Sequence, residues 1–283
     1  MRAVKGSILL RVFFETADGG YYSPFISDCF ELLPIPEFLG RFRKVSLAHA
    51  YSYSRIPCRC SSCYLSKYLP SDYVLVGGSS YHVSNVVAHW DPRFDIGVYC
   101  DYWRQAGGRI PKSFTNCRED CYIFFAAGLA RYPPKFFNRP RGFTEIRRAF
   151  MRAERGIYIV AYMEVDEVVD LTEIAAKHNV DVGREGDDRV WEIAAKEYGE
   201  EVIMTPHSAR GIDLPVVILS ERGRYGYLKK PLPLILWSRG RRVLTTYSYL
   251  FNIKGFEDRV RHKVFDPART EQIVDVMVSE GYL

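Results

Sequence analysis

The 283-residue chain contains no apolar run approaching the ~18 residues that a membrane-spanning helix requires. Its N-terminus does not present a charged region, an apolar stretch and a cleavage site in succession, so a cytoplasmic protein without a membrane partner is expected. Ser/Gly/Pro-rich linkers, single-sign charge runs and internal repeats are also absent. Aliphatic and aromatic residues are spread evenly instead, and a chain of this length can bury a substantial core, so one mixed domain is expected over residues 1–283. There is no Walker A loop, no dinucleotide fingerprint, no GxSxG elbow and no HExxH pair, which argues against the familiar nucleotide-dependent and hydrolase classes. Gly19-Gly20 and Gly77-Gly78 read as turns.

What is present is modestly basic and rich in rings. The formal net charge is +5, and twenty Tyr with seventeen Phe supply most of a 14% aromatic content. Arg139, Arg141, Arg147, Arg148, Arg152 and Arg155 crowd one stretch, and Arg222, Arg224, Lys229, Lys230, Arg239, Arg241 and Arg242 another. Tyrosines lie among them, so stacking surfaces and cations coincide, a combination suited to DNA or RNA. A solvated face has the same composition, and the abundance of Arg, Glu and Tyr equally suits a thermophile.

Several elements follow from pattern. Ile8, Leu9, Leu10, Val12, Phe13 and Phe14 form a strand interrupted only by Arg11, and Glu15, Asp18, Gly19 and Gly20 turn it into a constrained loop. Glu37 to His49 has helical spacing, weakened by Gly40. Strands are expected at Tyr73–Val76, Tyr122–Ala126 and Ile157–Val165, with a helix between the last two N-capped by Thr144. Asp170 opens one helix and Asp188–Tyr198 forms another, giving a helical insertion over residues 171–211. Four short strands then follow, at Pro215–Leu219, Tyr225–Leu228, Leu232–Trp237 and Arg242–Tyr249, and suggest a meander or barrel wall. Asp266-Pro267 starts a final amphipathic helix. The expected fold class is therefore α+β: a mixed sheet or small β-barrel with peripheral helices and the insertion.

The seven cysteines admit two engaged states. Cys60 and Cys63 have zinc-knuckle spacing, Cys58 adds a third thiolate, and Cys117 and Cys121 form a second pair, so Cys60, Cys63, Cys117 and Cys121 could close a structural Zn²⁺ site. Disulfides are the equal alternative, documented inside the cells of hyperthermophiles.

An apolar strand with internal Arg11, then Glu15, Gly19-Gly20, Ser23-Pro24, Asp28 and Pro34-Ile35-Pro36 resembles the opening of the type-3 nucleotide modification associated domain. His89-Trp90-Asp91-Pro92, Gln105-Ala106-Gly107 and Leu219-Ser220-Glu221-Arg222 follow in the order of that family, and Glu15 stands where it usually has Asp. The resemblance implies a component of DNA or RNA base-modification systems. The strand, short excursion, strand and Asp166-Glu167 also resemble PUA-like barrels, which read modified or flipped bases. The residues that remain for chemistry are Glu15, His89, Asp91 and Glu221 as acid–base candidates, with Arg11, Asp28, Gln105 and Arg222 to hold substrate. Asp91, held extended by Pro92, is presented rather than folded into a helix. A nucleobase-modifying enzyme is the leading expectation, because a reader seldom gathers carboxylates beside a polyanion. A PUA-like reader, or a nuclease with Mg²⁺ on Glu15, Asp28 and Asp91, are the alternatives.

Overall fold

A computed structural model describes residues 5–26, 29–112, 114, 117, 121–182, 187–211, 214–238, 241–254 and 263–283. The chain runs through β1 (Gly6–Arg11), β2 (Ser23–Ile26), β3 (Cys29–Phe30), β4 (Ile35–Phe38), α1 (Val45–Ala48), β5 (Tyr73–Val76), β6 (Ser79–His82), β7 (Val86–His89) and β8 (Val98–Asp101). Next come β9 (Cys121–Arg131), α2 (Phe143–Arg152), β10 (Glu154–Val165), β11 (Glu167–Asp170), α3 (Leu171–Lys177), α4 (Asp188–Tyr198), α5 (Pro206–Arg210) and β12 (Val216–Leu219). β13 (Tyr225–Ser238), β14 (Arg241–Leu244), α6 (Thr246–Leu250), β15 (Lys263–Phe265) and α7 (Pro267–Ser279) complete it.

The main sheet has the order β14-β13-β10-β9-β1-β15, with β2 and β3 attached beside β9. β1 and β9 are parallel, and the other neighbours along that path are antiparallel. Both faces of this sheet are covered, which is why β1 and β9 read as continuous apolar runs at their centres, residues 8–10 and 123–127. Leu9, Phe124 and Ala126 pack on one side with Ile146 and Phe150 of α2 and Ile273 and Met277 of α7. Ile8, Leu10, Ile123 and Phe125 pack on the other, against Tyr99, Val168, Val216 and Ile218 of a second sheet ordered β11-β12-β8. The far side of that second sheet is covered by Ile174, Ala175, Val190, Trp191 and Ala194 of α3 and α4. α3 and α4 thus form a helical layer over the small sheet.

A bulge in β10 serves this layering. Its register shifts between Ile159 and Ala161 on both neighbours. One extra residue reverses the side-chain alternation, so Ile157 and Ile159 face the α2–α7 layer while Ala161, Met163 and Val165 face the small sheet.

The α+β class stands, and the main sheet stays open: no closed barrel is found among the described residues. The expected four-strand meander resolves differently. β12 belongs to the small sheet, the next two segments merge into the long β13, and residues 246–250 are helical. Pro231 and Pro233 suggest a break, yet β14 pairs only with residues 235–238, so those prolines lack a hydrogen-bonding strand on that side. The pairing to β10 also shifts between Pro233 and Ile235, and between Leu232 and Tyr227. Glu37, expected in a helix, lies in a strand pair instead, because β4 runs against β7 with Glu37 opposite Val87. Helix α2 starts at Phe143 with Gly142 as its N-cap, so Thr144 lies inside the first turn, and the Asp72 side chain accepts the Phe143 N–H at 2.8 Å. No helix among the described residues is long and apolar enough to cross a membrane.

Candidate functional site

Three segments meet above the Asp101 end of β8. The β4–β7 pair places Ile35 opposite His89, so Glu37, two residues along β4, lies on the same face as His89. The chain then turns through Trp90 and a cis Asp91–Pro92 peptide to β8, and the Cys100 N–H donates to both Asp91 carboxylate oxygens at 3.0 and 2.9 Å. The third segment is α5, begun by Thr205 with Pro206 at its first turn, which carries His207 and Arg210. Together they line a cavity of about 340 Å³ with Glu37, Arg41, His89, Asp91, Asp101, Tyr102, Arg109, His207 and Arg210 on its wall.

Two polar chains hold the wall in place. In one, His89 Nδ1 lies 3.1 Å from Glu37 Oε2 while Arg210 bridges Glu37 Oε1 at 2.5 Å and approaches the same imidazole nitrogen at 3.3 Å. In the other, Asp101 accepts from the Tyr99 hydroxyl at 2.7 Å and from Arg109 Nε at 3.0 Å, and Arg109 continues to the Arg11 carbonyl at 2.8 Å. Between them stand Asp91 and His207, with Asp91 Oδ2 at 3.6 Å from His207 Nε2. The Tyr102 hydroxyl lies 3.3 Å from the other ring nitrogen of His207, and the His89 ring meets the His207 ring edge-on at 4.9 Å. His207 is 3% exposed, and its Nε2 has no hydrogen-bond partner among the described residues.

Burial dominates the electrostatics. It drives the Asp91 carboxyl well above the usual carboxylate range, opposed by the Cys100 N–H and helped by the Asp101 charge. It pushes the His207 imidazole well below its ordinary value, reinforced by the neighbouring His89, Arg210 and Arg109. Glu37 is also buried, but the hydrogen bond and charge of His89 and the charge of Arg210 outweigh burial and hold it at about 2. The wall therefore combines a firmly ionised Glu37–Arg210 pair with an adjacent carboxyl and imidazole that both resist charge. Among the described residues, His89, Asp91 and His207 each offer one ligand atom, and these atoms lie within 4.8 Å of one another, close enough that the three could hold a metal ion.

Of the residues expected from sequence, His89 and Asp91 line this cavity. Glu15 and Arg11 sit beside it: they pair with each other at 3.2 Å, and Glu15 acts electrostatically on Arg109. Gln105 is exposed in a short turn next to the lining residues Gly107 and Gly108. Glu221 and Arg222 are not brought in. β12 runs antiparallel to β8, with Val216 opposite Asp101 and Leu219 opposite Val98, so both residues follow the end of β12 remote from the cavity. Asp28 lies outside the described residues, as does Arg239 of the second basic stretch.

The tetrahedral cysteine site is not assembled. Cys60 is bonded to Cys29, Cys63 to Cys58 and Cys117 to Cys121, so the four sulfurs expected as zinc ligands are divided among three disulfides. Spacing within residues 58–63 does not reveal Cys29 as a partner, because β3 brings it there through tertiary structure. Sequence patterns also do not single out Glu37, Asp101, Arg109, His207 and Arg210. Thr205-Pro206 carries the same helix-start signal as Asp266-Pro267, and it is the local cue that places His207 in a first turn.

A family model described as nucleotide modification associated domain 3 matches residues 7–250. No curated protein and no solved structure matches the chain.

Proposed function

The chain belongs to the nucleotide modification associated domain 3 family, and from that premise we propose that it modifies a base in DNA or RNA within the cavity between β4, β8 and α5. The observation that carries this reading is the composition of the wall: the buried carboxyl and imidazole of Asp91 and His207 stand beside three arginines, Arg41, Arg109 and Arg210. Guanidinium groups can hold a phosphate or an anionic base edge through paired hydrogen bonds. Buried polar side chains without full partners are costly to maintain, and they concentrate where chemistry is done. A reader of modified bases needs stacking surfaces and amide edges more than buried carboxylates, so the polar wall favours an enzyme.

A second feature supports a polymeric substrate. A surface groove beside α2 joins Arg131, Lys135, Arg148 and Arg152 to the rings of Phe25 and Phe136, the pairing of cations with aromatic faces that suits single-stranded nucleic acid. The decisive experiment is mass spectrometry of nucleosides digested from cells carrying the wild-type gene, no gene, or the His207→Ala variant. A nucleoside present only with the wild-type gene supports the reading, and identical profiles in all three overturn it.

A further inference from the structure

The wall of the cavity has the donor set of a transition-metal centre. We propose that His89, Asp91 and His207 bind one divalent first-row transition-metal ion. Three independent observations point there. First, the three ligand atoms lie within 4.8 Å of one another, and the His207–Asp91 pair is already at 3.6 Å. Bonds of ~2.1 Å to one ion set tetrahedral ligand atoms about 3.4 Å apart, so only the most distant atoms have to close. Second, among the described residues His207 Nε2 is buried without a partner, and the hydrogen-bond donor to the buried Asp91 carboxylate is a single backbone N–H, from Cys100. A cation between them satisfies both. Third, both rings are held at Nδ1: His207 by the Tyr102 hydroxyl, which leaves its Nε2 to coordinate, and His89 by the Glu37 carboxylate. Outer partners of this kind fix ring orientation at a metal site.

The donors select the ion. Two imidazoles and one carboxylate suit zinc, iron(II) or cobalt(II), whereas magnesium and calcium favour oxygen. The thiol nearest in sequence, Cys100, donates instead to Thr205 at 3.6 Å. Three protein ligands leave at least one coordination position open to water or substrate, in a cavity whose wall also carries Arg109 and Arg210.

The test uses purified full-length protein stripped with a chelator, then titrated with Co²⁺ followed by its visible absorption and with Zn²⁺ by calorimetry. One ion per chain is expected at micromolar concentration or below, with no competition from millimolar Mg²⁺. His207→Ala and the half-buried His89→Ala should each weaken binding at least 100-fold, and Glu37→Gln, which leaves all three ligands in place, should weaken it about 10- to 100-fold. If His207→Ala does not fold, His89→Ala and Glu37→Gln decide the matter in its place. Absence of binding to the wild type, or wild-type affinity in the folded His89 and His207 variants, overturns the proposal. Binding is read without nucleic acid, so a protein that binds metal but changes no nucleoside would refute the base-modification reading alone.

Discussion

His207 Nε2 lies 3.6 Å from an Asp91 carboxylate oxygen, although one residue belongs to α5 and the other to the turn before β8. Both side chains are buried, and burial disfavours the charged form of each. Asp91→Asn keeps an oxygen to accept the Cys100 N–H, so it removes the ionisable group while sparing most of the turn. We expect this variant to fold with a melting temperature within a few degrees of wild type and to lower base modification by roughly 10²- to 10⁴-fold if the carboxyl transfers a proton, or by roughly 10- to 100-fold or more if it instead holds the metal ion. Nucleoside mass spectrometry and thermal melting measured on the same preparation check it. Undiminished modification would remove Asp91 from the reaction.

How much of this is legible in sequence depends on whether the signal is local. β1, β9 and β10 are visible because both faces of the sheet are covered and their central residues are therefore apolar on both sides. Helix α4 is visible at its full length, Asp188–Tyr198, because one side of it packs on the small sheet. The order of the sheet is not, since β12 and β13 follow one another closely in sequence yet join different sheets. In the cavity, His89 and Asp91 are legible through the family motif His89-Trp90-Asp91-Pro92, in which Pro92 also restricts the Asp91 backbone. Their partners are not: Glu37 arrives by strand pairing and His207 through a helix at the end of a covering layer.

The disulfides predict a simple thiol count. Of seven cysteines, Cys100 is the free one, and it is buried. The denatured, unreduced protein should titrate one thiol per chain, and the reduced protein all seven. Cys29–Cys60 spans 31 residues in sequence and Cys117–Cys121 spans 4. Loop-closure entropy gives roughly 3 to 4 kcal/mol for the first and about 2 kcal/mol for the second. Denaturant unfolding of the paired Cys-to-Ser variants should rank them in that order. Seven reactive thiols before reduction would remove all three bonds.

Nucleic-acid binding should be steeply salt dependent and should run through the groove beside α2. Arg141 and Arg155 are committed to backbone carbonyls of the fold, whereas Arg148 and Arg152 are exposed on α2 and line the groove. Reversing both, as Arg148→Glu with Arg152→Glu, should weaken binding to single-stranded DNA or RNA. It should also lower the slope of log affinity against log salt by roughly one to two, because each phosphate contact contributes about 0.7 to 0.9. An unchanged slope with wild-type affinity would make the groove an ordinary solvated surface.

Glu31 offers a pH-dependent test of the disulfide loop. Its side chain is buried at the end of β3, two residues beyond Cys29, and its carboxylate accepts the Arg59 N–H at 2.7 Å and the Cys60 N–H at 2.8 Å. The Arg59 guanidinium lies over the Phe30 ring at 4.0 Å and the Tyr227 ring at 4.9 Å, which holds the loop over the carboxylate. Burial raises the Glu31 pKa, and the two N–H donors and the Arg59 charge oppose the rise without cancelling it. The folded protein therefore keeps this proton to a higher pH than the unfolded chain. Below the ordinary value of 4.5 both states are protonated and the contribution to stability is fully present. As pH rises through the folded pKa the unfolded chain has already released its proton, so that contribution is lost. Glu31→Gln is neutral throughout and carries no such dependence. The stability of wild type relative to Glu31→Gln should thus be highest below about pH 4.5 and should decline toward neutrality, with every other titrating group common to both proteins. Parallel denaturant titrations of the two proteins between about pH 4 and pH 8 measure it. A difference that is flat, or that grows with pH, would mean that the two backbone donors and Arg59 together compensate the buried charge.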